Sequence, residues 1–169
     1  MNTTDIFLMD TCVVSDFIRT SPERLRELRS HGCNIFILEE IREELLREFD
    51  YPTIANLALS IVDVEMKEYD YALSIDSHAL SSQDKLCISV AKNREMICVT
   101  KDFRMKKECD SKQVQVLWSL QFLLKLRDNC IIDTDTARQW GTEMQRLSNS
   151  RIPQNALEEF LSELGDVRS

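Results

Sequence analysis

Ile6-Phe7-Leu8-Met9-Asp10-Thr11 is an unbroken apolar run that stops at an acid and a hydroxyl. A strand covered on both faces reads this way, because a parallel sheet with helices above and below demands apolar side chains at every position, not at alternate ones. Asp10 then marks where the chain leaves the sheet. The same grammar recurs at Met96 to Val99, which is closed by Thr100-Lys101-Asp102, and Asn34 to Leu38 (NIFIL) is a further run of the kind.

Between these runs the spacing turns helical. A helix is predicted from Val13 to Arg19, and Ser21-Pro22-Glu23 opens another with Leu25 and Leu28 as its buried stripe. In EEIREELLREF the residues Ile41, Leu45, Leu46 and Phe49 recur at helical spacing until Tyr51-Pro52 breaks the pattern. Residues 53–80 predict a helix, a short strand near Ile61 to Val64 and another helix. Ser81 to Asp84 read as a cap, followed by a helix that buries Leu86, Ile88, Val90 and Ala91. Val114 to Leu117 predicts a last short strand, and Trp118 to Leu126 a closing helix. Strands alternating with helices of this length imply an α/β class with a parallel, doubly wound sheet.

Beyond Asn129 the alternation ends, and two helices are predicted over 134–147 and 153–164, the second opened by Pro153. The expected organisation is therefore an α/β unit over 1–128 and an α-helical appendage over 129–169. Ala137, Trp140, Met144 and Leu147 recur on one face of the appendage and need a surface to cover, either the chain's own helices or a second copy.

Composition narrows the chemistry. The formal charge of −8 argues against a protein whose whole surface attracts nucleic acid, so any nucleic-acid site needs cations to mask local negative charge. Gly32, Gly141 and Gly165 stand too far apart for a dinucleotide fingerprint or a phosphate-binding loop. With only His31 and His78, acid-base or metal work falls mainly on carboxylates. Cys12, Cys33, Cys87, Cys98, Cys109 and Cys130 are scattered with no C-x-x-C pair, and read as reduced core thiols. No apolar run approaches the roughly 20 residues of a membrane span, and MNTTDIFLMD lacks a basic stretch before a long apolar one. The expectation is a cytoplasmic protein with no membrane partner.

In open parallel sheets, ligands bind beyond the carboxyl ends of the strands, which is where Asp10 and Asp102 fall. Asp84 opens the helix before the second of those strands, 18 residues ahead of Asp102. Carboxylates brought together repel, by about 4 kcal/mol for a unit pair at 4 Å and an effective dielectric of 20. Clustering therefore implies a cation, a shared proton or a nearby base. Oxygen-only ligands suit hard divalent ions, Mg²⁺ or Mn²⁺. Lys85, Lys101, Arg104, Lys106 and Lys107 lie close in sequence to Asp84 and Asp102, where they can grip a phosphate backbone.

Over about residues 5–126 this pattern resembles the PIN domains, whose bacterial members are often ribonuclease toxins of toxin-antitoxin pairs. A first strand ends in Asp10-Thr11, a helix opens at Asp84 and reaches Ala91, and a strand ends in Thr100-x-Asp102. The family's further acid, a Glu before Leu and three residues after a branched apolar residue, is matched by Ile41, Glu44 and Leu45, with Glu43 and Glu40 as alternatives on the same helix. The chain departs at Cys12, where Ser or Asn is common. The resemblance implies a three-layer α/β/α fold and an endoribonuclease using Mg²⁺ or Mn²⁺ held by Asp10, Glu44, Asp84 and Asp102. Thr11, Thr100, Lys101 and Arg104 would face the RNA, and an antitoxin protein is an implied partner. A DNA-directed phosphodiesterase and a non-catalytic PIN-like module that binds RNA or a partner stay open. A receiver domain does not fit, since Met9, not a second acid, precedes Asp10.

Overall fold

In the computed structural model, which describes residues 5–165, the apolar runs become the interior strands of one sheet. The outer ends of both expected units, residues 1–4 and 166–169, lie outside the described residues, and so does the start of the stretch read as lacking a leader. Strands β1 (Ile6–Met9), β2 (Asn34–Leu38), β3 (Ser60–Val62), β4 (Ile97–Thr100) and β5 (Val116–Trp118) pair in parallel throughout, in the order β3-β2-β1-β4-β5. β1 is central, with Leu8 opposite Phe36 on one side and Cys98 on the other. This is why β1 and β4 are apolar at consecutive positions: Phe7 to Met9 and Ile97 to Val99 are all buried.

Helices α1 (Thr11–Thr20) and α2 (Glu23–Ser30) join β1 to β2, and α3 (Glu39–Leu46) and α4 (Tyr51–Asn56) join β2 to β3. The chain then returns across the sheet through α5 (Met66–Ser74) and α6 (Ser82–Arg94) to β4, and α7 (Phe103–Ser111) leads to β5. Parallel crossovers are right-handed, so crossovers running in opposite directions along the sheet cover opposite faces. Accordingly α5 packs on α6 and α6 on α7, while α1 packs on α3 and both α1 and α8 (Ser119–Asp128) pack on a further helix, α9 (Thr134–Arg146). The result is the expected α/β class, a parallel sheet with helices on both faces. The direction of winding reverses between β1 and β4, which makes the crevice beyond their carboxyl ends the topological switch point.

Local differences from the sequence reading have simple causes. Helix α3 stops at Leu46, short of Phe49, so Tyr51-Pro52 does not end it but starts α4, where proline's missing N–H costs nothing and Asp50 accepts from the Thr53 N–H at 2.8 Å. The last strand begins at Val116, not Val114, because the Val114 N–H is still bonded to the Cys109 carbonyl of α7 at 2.9 Å. All six cysteines are free; Cys33, Cys87, Cys98 and Cys109 are buried and Cys12 packs half-buried against the core, but Cys130 is exposed and is not a core thiol.

The stripe on α9 is covered by the chain's own helices. Trp140 meets Phe17 of α1 edge-on with ring centroids 6.0 Å apart, and Phe17 meets Phe122 of α8 at 6.3 Å. Phe122 continues the aromatic chain to Phe7 of β1 at 4.9 Å. Arg24 of α2 lies over the Trp140 ring at 4.9 Å and donates to Glu143 at 2.5 Å. Helix α10 (Gln154–Leu164) approaches α9 so closely at Gly141 that a Cβ there would lie 2.8 Å from Phe160 Cζ. Among the described residues no helix is long and apolar enough to cross a membrane.

Candidate functional site

Asp10 stands one residue beyond β1 and caps α1, accepting from the Thr11 N–H at 2.8 Å. Its other oxygen accepts from the Thr100 hydroxyl at 2.9 Å and the Cys12 thiol at 3.5 Å. The Thr100 hydroxyl also accepts the Asp102 N–H at 3.0 Å, so one buried side chain holds both strand-end aspartates in place. Asp102 caps α7 through Oδ1, which accepts from the Arg104 N–H at 2.8 Å and the Met105 N–H at 3.3 Å. Asp84 forms a reciprocal box with Ser81 at the start of α6, its Oδ2 accepting from the Ser81 N–H at 2.9 Å. On α3, Glu44 Oε2 accepts from the Thr11 hydroxyl at 2.7 Å.

Asp10, Glu44, Asp84 and Asp102 thus line one cleft of about 880 Å³ at the switch point. The choice among the glutamates follows from helix geometry. With Ile41 and Leu45 buried, Glu44 turns to the cleft, Glu43 is exposed, and Glu40 accepts from the Tyr69 hydroxyl at 3.3 Å and is outside the lining of the cleft.

Electrostatics separate Asp10 from the buried acids that have a purely structural look. Burial, and next the charge of Asp84, push the Asp10 carboxyl up to about 6. Glu68 is also buried, yet Arg94 beside it, with the Glu65 N–H and Asn93, holds it down to about 2. Asp16 is raised by burial and partly relieved by Lys101, whose ammonium lies 2.6 Å from Oδ2. Asp10 has no such base. Its neighbour Cys12 is pushed up to about 12, by burial and then by Asp10, so the thiol stays protonated and donates to the carboxylate.

The residues expected to face substrate divide. Thr11 lines the cleft, but Thr100 is fully buried and acts on Asp10 and Asp102 instead. The Lys101 side chain is 4% exposed and committed to Asp16 and to the Ser150 carbonyl, at 2.5 Å, so its charge is spent inside the protein. Arg104 is exposed, outside the lining of the cleft, and donates to the Ala79 carbonyl at 3.4 Å. Sequence reasoning missed Asp16, Arg19, Glu48 and Arg151, which all line the cleft. Glu48 had a signal, one turn beyond Glu44 on the same face; Asp16 and Arg151 had none, since only the fold brings them there.

The donor set suits a hard cation. Among the described residues Asp84 Oδ1, Asp102 Oδ2 and Glu44 Oε1 accept no hydrogen bond, which leaves an oxygen on each of three carboxylates free toward a ligand. No group of three His, Cys, Asp or Glu side chains among those residues stands close enough to enclose a metal ion. Mg²⁺ commonly takes only one or two carboxylates and keeps its waters, so the arrangement fits such an ion loosely held, not a closed protein cage. No protein-family model matches this chain, and no curated protein matches it significantly in sequence.

Proposed function

We propose that this chain is a PIN-type, Mg²⁺- or Mn²⁺-dependent endoribonuclease that hydrolyses RNA phosphodiester bonds in the acidic cleft. The observation that carries the reading is the gathering of Asp10, Glu44, Asp84 and Asp102 in one cleft, from the ends of β1 and β4 and the starts or faces of α6 and α3. These are the positions the PIN resemblance assigns. Asp84, Asp102 and Glu44 would offer their free oxygens to the ion, and Asp10, raised by burial and Asp84, is the carboxylate that gains most from a nearby cation. A bound ion would supply an activated water and charge stabilisation for the departing oxygen. Thr11 orients Glu44, and Thr100 orients Asp10 and Asp102.

Cleavage of matched RNA and DNA oligonucleotides with Mn²⁺, Mg²⁺ or chelator tests the reading. RNA cut only with metal is the expected result, and equal cutting of DNA points to a general phosphodiesterase. The absence of a closed carboxylate triad among the described residues favours a second reading, a module that binds RNA without cutting it. Metal and RNA bound with no RNA ever cut would establish that one.

Thr100→Val should lower metal-dependent cleavage about 10- to 100-fold, because ligands left without their orienting partner lose metal affinity by about that factor. The Mn²⁺ concentration for half-maximal rate should rise while the fold persists by circular dichroism. An unchanged Mn²⁺ dependence would remove Thr100 from the site.

An acidic cleft with free carboxylate oxygens is also a receptor for an arginine of a small protein, whose fixed charge would displace metal and RNA. The chain would then be the toxin of a pair. Expression alone should arrest growth in an Asp10-dependent way; normal growth with intact RNA rejects the toxin role.

A further inference from the structure

Beside the acidic cleft lies a second cavity of about 440 Å³, lined by Phe103, Trp118, Leu120, Ile152 and Phe160, and Lys101 and Arg151 line both. We propose that this groove is a base-stacking subsite for single-stranded RNA. Phe103 stacks an unpaired base of the strand, and Arg151 holds a phosphate next to the scissile one. The inference rests on the reading of the cleft as a ribonuclease site and goes beyond it by giving the appendage a part in substrate binding.

The charges of the cleft single out Arg151. Of the cations that line the cleft, Lys101 is paired with Asp16 and Arg19 with Glu48, whereas Arg151 makes no ion pair among the described residues. A polyanion entering an acidic cleft needs such an uncommitted charge. Arg151 is also held, not merely present: its φ of 53° is a conformation that L-residues rarely adopt. Three hydrogen bonds at the preceding residue fix that turn. The Ser150 carbonyl accepts from Lys101 at 2.5 Å, its hydroxyl donates to the Gln145 carbonyl at 2.9 Å, and the same hydroxyl accepts the Ile152 N–H at 3.3 Å.

Phe103 follows Asp102 directly, at the first position of α7, and is 69% exposed. A large ring held in water beside the carboxylates is a ready stacking platform, since every base presents a π-face. The groove selects a base and not the backbone. Its walls are apolar and aromatic, while Glu159 and Glu163 at its lining repel phosphate. The strand therefore keeps its phosphates at Arg151 and turns an uncharged ring inward.

The test uses the full chain and an RNA oligonucleotide with one cleavage site, with binding followed separately by fluorescence anisotropy in chelator. Phe103→Ala leaves the core intact and should raise KM about tenfold, the size of one base–aromatic stack, with kcat little changed, whereas Phe103→Trp should retain wild-type KM. An abasic nucleotide beside the cut should raise the wild-type KM by the same factor and add nothing to Phe103→Ala. Arg151→Gln should weaken binding and lower the salt slope by about one. Cleavage unaffected by both variants overturns the subsite and leaves the ribonuclease reading standing. A full additional abasic penalty in Phe103→Ala, or a dimer dissolved by it with RNA binding unchanged, also overturns the subsite. No cleavage by wild type, but RNA binding that depends on Phe103 and Arg151, overturns the ribonuclease reading and leaves the subsite standing. No RNA binding overturns both.

Discussion

Asp10→Asn is expected to abolish RNA cleavage, by at least about a thousandfold, and to stabilise the chelated protein at neutral pH. The first effect follows from losing a carboxylate of the cluster, since metal-assisted charge stabilisation is worth several kcal/mol. The second follows from linkage. The Asp10 carboxyl titrates at about 6 when folded against an ordinary value of 3.8, so between those limits the native state holds a proton that the unfolded chain has released. Stability therefore falls as pH rises from about 4 to about 6, by at most about 3 kcal/mol, and stays lowered above that window. Asparagine carries no charge to desolvate. In chelator the urea midpoint of Asp10→Asn should exceed that of wild type at pH 7.5, and the gap should close near pH 4. A wild-type midpoint insensitive to pH across this window would show that Asp10 is not a strained carboxylate.

Lys101→Met is expected to cost about 3–5 kcal/mol of stability, because it leaves the carboxylate of Asp16, 2% exposed, without its base. Removing both charges together should be far milder, since well-packed neutral groups often replace a buried pair at little cost. The Asp16→Asn, Lys101→Met double variant should thus be more stable than Lys101→Met alone, which urea denaturation of the wild type, both singles and the double would measure as a coupling energy. The pair ties α1 to the end of β4, and the same ammonium holds the Ser150 carbonyl. Lys101→Met should therefore also loosen the turn that carries Arg151 and weaken RNA binding. A loss below about 1 kcal/mol, with singles and double additive, would show that the pair contributes little.

Much of the α/β architecture was legible in the sequence because its signals are local. A strand covered on both faces has no polar position to spare, so β1 and β4 announce themselves as apolar runs and Asp10 and Asp102 as their ends. Helical spacing places Ile41 and Leu45 on the core side and so leaves Glu44 beside Thr11. Stretches 53–80 were harder, since β3 is only Ser60–Val62 at a sheet edge and too short to show a period.

The interior strands, the α/β class and the two strand-end aspartates were readable along the chain, because pleat and helix geometry act over a few neighbouring residues. It took the folded packing to show that Lys101 belongs to Asp16 and not to substrate, that Thr100 is a buried clamp between two acids, and that Arg151 of the distal helical segment reaches the cleft. Asp16 and Lys101 are 85 positions apart, a separation across which no periodicity survives. Their meeting depends on the order in which the strands join the sheet, which sets β1 beside β4 and places Asp16 of α1 against Lys101. Which charge meets which is a property of that packing, because a buried ion answers to whatever the fold brings within a few ångströms and not to its neighbours along the chain.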